Sequence, residues 1–290
     1  MGYVNLKDIE EAEEILKGVA KKTELDHSRT FSQMSGNEVY LKLENLQRTG
    51  SFKIRGAYNK IISLSEDEKI NGVVAASAGN HAQGVALGAA KAGIDSTIVM
   101  PEGAPISKVK ATQEYGAKVV LSGETYDEAH KKEEEIAEET GATIIPAFND
   151  PKVIAGQGTI GLEILDDLSE IEAVVVPIGG GGLISGIATA IKENSPETEV
   201  IGVEASGAAA MTKSLEQGSL STLKKIDTMA DGIAVKTPGN LTYSIVSDYV
   251  DHIVTVDDEE IAHAILLLLE RAKLTVEGAG AVGLAALLNN

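Results

Sequence analysis

Short apolar runs alternate with amphipathic helical patterns along most of this chain. The apolar runs predict strands at residues 39–43, 73–76, 97–100, 118–121, 143–145, 173–177, 199–204 and 252–256. The helical spacing predicts helices at residues 5–17, 80–92, 106–115, 126–139, 157–168, 183–192 and 259–273, with a last one from about residue 279. Short strands that alternate with helices form parallel sheets covered on both faces. The pattern therefore predicts an α/β protein of parallel, three-layer αβα units.

The alternation falls into two series, separated near residue 150. We predict a small domain at residues 69–150, inserted in a larger domain made of residues 1–68 and 151–290. A looser region, residues 205–238, belongs to the second series. In parallel-sheet proteins ligands bind in the crevice at the carboxyl ends of the strands, so we expect the chemistry between the two units.

Composition narrows the possible functions. The 290 residues include no cysteine, which excludes disulfides, thiol redox chemistry and thiolate metal sites and favours the cytoplasm. Lys and Arg number 25 against 44 Asp and Glu, a formal net charge of -19. Such a charge repels phosphate backbones and anionic lipid, so neither nucleic acid nor a membrane is an expected partner.

Two further stretches have ordinary structural interpretations. The acidic N-terminus does not resemble a signal peptide, and charged residues interrupt the apolar stretch 261–288, which predicts buried helices instead of a membrane span. The run Glu133-Glu134-Glu135 predicts a solvated helix face.

Lys53 is the first candidate for chemistry. It follows a Gly-Ser turn, is flanked by Phe52 and Ile54, and begins a segment with helical spacing. Burial at the positive end of a helix favours a neutral amine, which can attack a carbonyl and form a Schiff base. The alternative is an ordinary solvated lysine whose stem lies along apolar surface.

The run Gly179-Gly180-Gly181-Gly182 lies between an apolar strand and an apolar helix. Residues without a Cβ let successive backbone N–H groups converge at a helix N-terminus, which is a phosphate-binding arrangement. The alternative is a flexible linker. Neither the triphosphate nor the dinucleotide glycine pattern fits this run.

A second turn at a strand end is Ser77-Ala78-Gly79-Asn80-His81-Ala82-Gln83-Gly84. Its N–H groups suit a small anion such as a carboxylate, and the Asn80 amide can donate to an oxygen. Alternatively Asn80 is only a helix N-cap. We interpret the His81 side chain as a first-turn helix residue outside the catalytic set. The glycine-rich stretch 278–283 matches a dinucleotide pattern, but we interpret it as tight helix packing, with Glu277 at the edge of the site.

A buried lysine, a phosphate site and an anion site at strand ends together match pyridoxal 5'-phosphate (PLP) joined to the lysine, with an amino-acid substrate beside it. Residues 41–58, 77–84, 179–182 and 276–281 closely resemble the threonine/serine dehydratase and serine racemase family of fold-type II, tryptophan-synthase-β-like PLP enzymes. The resemblance covers nearly the whole chain.

The resemblance implies a role for each candidate. Lys53 would be the Schiff-base lysine and the general base at Cα, Phe52 would lie beside the cofactor ring, and the larger domain would hold the cofactor. Asn80 would bond the ring oxygen and lie among the substrate-binding residues. The phosphate would be held by Gly179, Gly180, Gly181, Gly182 and Leu183. The substrate carboxylate would be bound by Ser77, Ala78, Gly79 and His81.

The same resemblance implies an L-threonine/L-serine dehydratase (ammonia-lyase) that gives 2-oxobutyrate or pyruvate plus ammonia. Racemases of the family carry a serine where this chain has Ala78, so elimination is favoured over racemisation. The alternatives are a serine or aspartate racemase, a 3-hydroxyaspartate dehydratase, and a non-catalytic protein of the same fold. Sequence does not rank threonine against serine.

Two departures from the family pattern matter. The family's cation site would use Glu204 and the carbonyl of Ala208, but its further carboxylate is replaced by Ala210, so we expect no metal. The sequence ends at Asn290, before the Ser-Gly-Gly-Asn stretch whose serine bonds the pyridine nitrogen in relatives. By analogy with relatives we expect a homodimer or homotetramer in the cytoplasm.

Overall fold

The computed structural model describes residues 4–289, and its strands form three sheets. A four-stranded parallel sheet has the order β5-β4-β3-β6, a three-stranded parallel sheet has the order β7-β8-β9, and β1 pairs with β2 in antiparallel fashion. The strands are β1 Leu25–His27, β2 Tyr40–Lys42, β3 Val73–Ala76, β4 Ser96–Met100, β5 Lys118–Leu121, β6 Thr143–Ile144, β7 Ala173–Pro177, β8 Glu199–Ala205 and β9 His252–Val256.

Helices cover the parallel sheets. Short 3-10 turns occur at Glu44–Leu46, Ser206–Ala208 and Asp231–Ile233, and a π-helical turn occurs at Leu268–Ala272. The α-helices are α1 Leu6–Leu16, α2 Arg29–Ser35, α3 Lys53–Ile62, α4 Glu66–Asn71, α5 Asn80–Ala92, α6 Ile106–Glu114, α7 Tyr126–Thr140, α8 Pro151–Asp167, α9 Gly182–Asn194, α10 Ala210–Gln217, α11 Asn240–Tyr249, α12 Asp258–Leu267 and α13 Gly278–Asn289.

The predicted α/β class is confirmed, and each predicted strand lies within one residue of an observed strand at both ends. The predicted start of α8 was wrong by six residues, because the Asp150 side chain caps the helix at Lys152 and Val153 and a proline occupies its first turn. The region treated as loose contains α10, and α11 follows it.

Three helices pack closely through glycine. A Cβ on Gly156 of α8 would lie 2.6 Å from the Cα of Gly56 in α3, and one on Gly158 would lie 2.9 Å from the carbonyl oxygen of Gly186 in α9. Backbones can approach this closely only where no side chain intervenes. The helix that begins at Lys53 is therefore held firmly against α8.

The prediction that residues 133–135 form a solvated face was wrong for Glu133, whose exposed fraction is 3%. Its carboxylate accepts hydrogen bonds from the Ala76 N–H and from His130, and these bonds permit its burial. Within residues 4–289, no helix combines the length and apolar character that crossing a membrane requires.

Candidate active site

A cleft of about 2280 Å³ contains every residue predicted for the site. Its walls come from the turn before α3, the segment after β3 and the segment between β7 and α9. The predicted residues on its lining are Phe52, Lys53, Ser77, Ala78, Gly79, Asn80, His81, Gly179, Gly180, Gly181, Gly182 and Leu183. These residues are far apart in the chain, so the tertiary structure brings the predicted lysine, anion and phosphate elements together.

Lys53 is the first residue of α3, and its side chain points into the cleft. Its Nζ donates a hydrogen bond of 3.0 Å to the carbonyl of Ala147 and lies 5.3 Å from the centre of the Phe52 ring. Burial lowers the pKa of Lys53 from its ordinary 10.5 to about 8, and the charge of Glu277 opposes this shift. The solvated-lysine alternative does not describe this side chain.

The glycine quartet connects β7 to α9. Gly181 adopts φ +92° as the cap of α9, and a Cβ there would lie 2.8 Å from Met211 Cε and from Thr242 Cβ. The carbonyl of Gly180 accepts a 2.6 Å hydrogen bond from the Thr242 hydroxyl, which fixes the turn. The first N–H groups of a helix have no partner within it, so those of α9 remain free to bind an anion. The linker alternative does not describe this anchored turn.

Two consecutive residues connect the lysine to the quartet, and sequence analysis missed both. The carbonyl of Ala147 receives the Lys53 hydrogen bond, and the ring of Phe148 packs on Gly180, where a Cβ would overlap it. Both residues line the cleft. Their only signal in the sequence is a position directly after a predicted strand.

The turn after β3 has a different cap from the one considered above. Gly79, not Asn80, is the N-cap residue of α5, so the interpretation of Asn80 as a simple helix cap was wrong. The Asn80 amide donates to Glu277 Oε1 at 2.5 Å, and a carboxylate can only accept, so the NH₂ end of the amide faces Glu277. The Gly79 N–H donates to Ser77 Oγ at 3.2 Å.

Glu277, which sequence analysis put only at the edge of the site, has direct partners in it. It lines the cleft, accepts from Asn80 and interacts electrostatically with Lys53. The sequence feature that could have revealed these contacts is a glutamate directly before a glycine-rich helix start. Sequence analysis interpreted those glycines as tight helix packing.

His81 lies behind the turn and is buried. Its Nε2 lies 2.8 Å from the carbonyl of Ile145, which can only accept, so this nitrogen carries the proton. Burial, with Lys53 nearby, lowers the pKa of His81 to about 3. The imidazole is therefore neutral and joins α5 to the segment that leads to Ala147.

A cluster of buried charges surrounds Arg55, two residues after Lys53. Arg55, with 1% of its side chain exposed, donates to both carboxylate oxygens of Glu44 and of Glu163. Lys42 also pairs with Glu163 at 2.7 Å. Bidentate pairing of two carboxylates by one guanidinium fixes geometry as well as charge, so the cluster holds α3 against α8 and the segment after β2.

The glutamate expected at the family's cation site serves the backbone instead. Glu204 is fully buried and accepts from the N–H groups of Met211 and Thr212 and from the Thr212 hydroxyl, at 2.6 to 2.8 Å. Its carboxylate therefore holds the first turn of α10. Residues 4–289 contain no group of three or more His, Cys, Asp or Glu side chains that could bind a metal ion.

The fold and the cleft define a class of protein. A desolvated lysine that shares a cleft with a glycine turn, where a parallel strand leads into a helix N-terminus, suits an enzyme that holds an aldehyde cofactor by its phosphate. The chain matches the family model described as "Pyridoxal-phosphate dependent enzyme" over residues 16–290, and it belongs to this family.

Individual relatives narrow the comparison. The chain is 58% identical over 286 residues to the L-threonine ammonia-lyase of Thermotoga maritima, covering 99% of this chain and 71% of that one. It is 52% identical to L-threonine dehydratase catabolic TdcB of Escherichia coli K12, covering 99% and 87%. The solved structure of maize serine racemase superimposes with a TM-score of 0.97 at 38% identity, covering 100% and 88%.

Proposed function

We propose that this chain is a PLP-dependent L-threonine/L-serine ammonia-lyase. The observation that carries the proposal is that Lys53 and the glycine quartet line one cleft. Burial favours the neutral form of the Lys53 amine. Ala147 accepts a hydrogen bond from this amine, and the next residue, Phe148, packs on Gly180 of the quartet. The relatives named for threonine ammonia-lyase and threonine dehydratase support the same reaction.

The residues of the cleft fit PLP. Gly180 and Gly181 form a turn in which a Cβ would overlap neighbouring atoms, and the free N–H groups of α9 suit the phosphate. In our proposal Gly179 to Leu183 hold the phosphate, Phe52 lies beside the ring, Asn80 bonds the ring oxygen, and Lys53 holds the aldehyde carbon. When bound, PLP supplies a carbon that primary amines attack and a ring that accepts the electron pair from Cα.

The chain's own groups would then bind and move protons. Backbone groups of Ser77, Ala78, Gly79 and His81, with Asn80 beside them, hold the substrate carboxylate and orient Cα toward Lys53. The substrate amine would replace Lys53 on the aldehyde carbon, and the freed Lys53, as a neutral amine, would take the Cα proton. Loss of the β-hydroxyl and hydrolysis convert L-threonine to 2-oxobutyrate and ammonia, or L-serine to pyruvate and ammonia.

The test is the Lys53→Ala variant. We expect it to lose the visible absorbance of lysine-bound PLP, at about 410 nm, and to lose 2-oxobutyrate production from L-threonine. Lys91→Ala, which changes an exposed lysine on α5, is the matched control and should retain both. If the Lys53→Ala protein kept the absorbance band, a different residue would be the nucleophile.

A racemase is the second candidate, because the superposition on maize serine racemase is close. Ala78 has no group that can carry a proton, so the proposal predicts little D-serine from L-serine. Chiral analysis of the amino acid that remains after partial turnover separates the two reactions. A D-serine yield comparable to the pyruvate yield would favour the racemase.

We also propose the domain division and the oligomeric state that were expected from the sequence. Residues 69–150 would form a small domain inserted in residues 1–68 and 151–290, which is supported by a sheet of four strands that lie between residues 73 and 144. By analogy with relatives we propose a homodimer or homotetramer. The absence of cysteine supports the cytoplasm as its compartment. Light scattering of the purified protein tests the oligomeric state.

A further inference from the structure

A carboxylate is buried outside the cleft, in the middle of α7. Glu133 accepts a hydrogen bond of 2.6 Å from the N–H of Ala76, the last residue of β3, and its other oxygen bonds His130 Nδ1. A buried carboxylate is costly, and an apolar side chain at this helix position would avoid that cost. The hydrogen bond to the Ala76 N–H is a contact that an apolar side chain at this position could not make.

The bond to Ala76 replaces a rung of the sheet. β3 pairs with β6 as Val73 with Thr143 and Val74 with Ile144, and the Ile145 N–H donates to the Val74 carbonyl. In a parallel ladder that continued, the Ala76 N–H would donate to the Ile145 carbonyl. Instead His81 occupies the Ile145 carbonyl and Glu133 occupies the Ala76 N–H.

The chain leaves the sheet at this rung and enters the active site. Immediately after Ile145, the Ala147 carbonyl accepts from Lys53 Nζ and the Phe148 ring packs on Gly180. On the other strand, Ala76 directly precedes the turn that begins at Ser77. One side chain thus substitutes for β6 at the point where both strands lead into the cleft.

We propose that Glu133 is a positioning residue for the lyase reaction, which takes over the N–H of Ala76 so that residues 145–148 can leave the sheet and support Lys53. It acts through Ala76 and Ala147 and does not touch the reacting atoms. The inference rests on the proposed function for its catalytic consequence but not for its structural one.

The ionisation of Glu133 depends on few neighbours. Burial raises its pKa, while His130 and the Ala76 N–H lower it and Glu134 raises it. Tyr126 on the same helix also interacts with this carboxylate. The strands packed against α7, namely β3, β4 and β6, contain no titratable side chain. Half-exposed His130 is therefore the basic side chain that faces Glu133.

Three variants of the whole chain test this inference. Glu133→Gln keeps an acceptor for the Ala76 N–H, Glu133→Leu removes it, and Glu138→Leu changes an exposed residue of the same helix as the control. On protein free of PLP, hydrogen exchange reports the Ala76 amide and residues 143–149, and absorbance reports the rate at which Lys53 captures added PLP. With PLP and L-threonine bound, kcat and KM are measured separately.

We expect Glu133→Leu to keep its melting temperature, because an apolar side chain replaces a buried carboxylate. The exchange protection factor of the Ala76 amide should fall at least about tenfold, and the rate of PLP capture should fall about fivefold. The kcat for L-threonine should fall about tenfold, with little change in KM. Glu133→Gln and Glu138→Leu should behave as the parent does.

The inference would be overturned if Glu133→Leu kept the exchange protection and the PLP capture rate of the parent protein. It would also be overturned if Glu133→Leu and Glu133→Gln lost protection and capture rate equally and both had a lowered melting temperature. Protection and capture are measured without substrate. They therefore remain decisive even if the chain does not convert threonine, a result that would refute the proposed function separately.

Discussion

At the scale of single residues, the site depends on one amine whose protonation the fold has altered. The amine of Lys53 lies at the start of α3 in a cleft that removes it from bulk water, and burial outweighs the opposing charge of Glu277. The glycine quartet in the same cleft matters because it lacks side chains: a Cβ at any of the four positions would lie less than 3.0 Å from a neighbouring residue.

The first prediction concerns the pH dependence of this amine. Only the neutral amine attacks an aldehyde, so capture of PLP by the cofactor-free protein should accelerate as pH rises through about 8 and level off above it. Between about 8 and 10.5 the unfolded chain binds more protons at this lysine than the folded chain, so its contribution makes the free energy of unfolding rise with pH.

Stopped-flow absorbance across this pH range measures the capture rate, with Lys53→Ala as the blank. Glu277→Gln should move the midpoint to lower pH, because the carboxylate raises the lysine's pKa. A midpoint near 10.5 in the parent protein would show that the amine is solvated.

The second prediction concerns the quartet. In Gly180→Ala the new methyl group would overlap the Phe148 ring, so the turn or the ring must move. We expect PLP to bind at least about tenfold more weakly by equilibrium titration, because the N–H groups would no longer converge.

Gly103→Ala is the control, since a Cβ at Gly103 meets no atom within 4 Å. Adding Phe148→Ala to Gly180→Ala should recover part of the affinity. Unchanged affinity in the single variant would mean that the quartet does not hold the phosphate.

At the scale of secondary-structure elements, the strands were predictable and several helices were not. Buried parallel strands are short and continuously apolar, so their pattern is visible in the sequence. Helix α10 has a mixed surface. Its first turn is capped by the buried carboxylate of Glu204, which accepts a hydrogen bond from the N–H of Met211, seven residues further along the chain. Because this cap comes from another element, local sequence reasoning did not find the helix.

The third prediction concerns the contact between α3 and α8. Arg55→Met would leave Glu44 and Glu163 largely buried with a single nearby cation, Lys42, so we expect the free energy of unfolding to fall by about 3–5 kcal/mol. Urea denaturation of the cofactor-free protein measures this change.

The control is Lys225→Met, which breaks an ion pair between side chains that are mostly exposed. That variant should change the free energy of unfolding by less than about 1 kcal/mol. A loss below about 1 kcal/mol in Arg55→Met would show that the buried cluster is not what fixes α3.

At the scale of the whole molecule, net charge and local charge act in opposite directions. The chain carries a formal charge of -19, yet the cofactor is an anion. We propose that neutral backbone groups of the cleft and one lysine hold it. The long-range field therefore repels the ligand that the short-range geometry attracts.

The fourth prediction follows from this opposition. Raising the ionic strength from about 10 to 200 mM should accelerate capture of PLP by roughly two- to fivefold, because salt screens the long-range repulsion more than the contacts inside the cleft. Pyridoxal, which lacks the phosphate, is the control ligand and should respond little. Slower capture of PLP in salt would mean that the local field of the cleft dominates its approach.

The sequence by itself determined the parts whose physical cause is local. An apolar run predicts a buried strand, four consecutive glycines predict an open turn, and a lysine between Phe52 and Ile54 predicts a desolvated amine, because each depends on neighbours within a few residues. These features predicted the fold class and a phosphate-bearing aldehyde cofactor, while the role of each residue and the reaction were implied by the family resemblance.

The tertiary structure decided what depends on partners far along the chain. Glu133 was predicted to be solvated but pairs with Ala76, Glu277 reaches Asn80, and Ala147 reaches Lys53, across 57 to 197 residues. A charged side chain can be buried only where a hydrogen-bonding partner is available, and the neighbouring residues in the sequence do not indicate which distant residue that partner is.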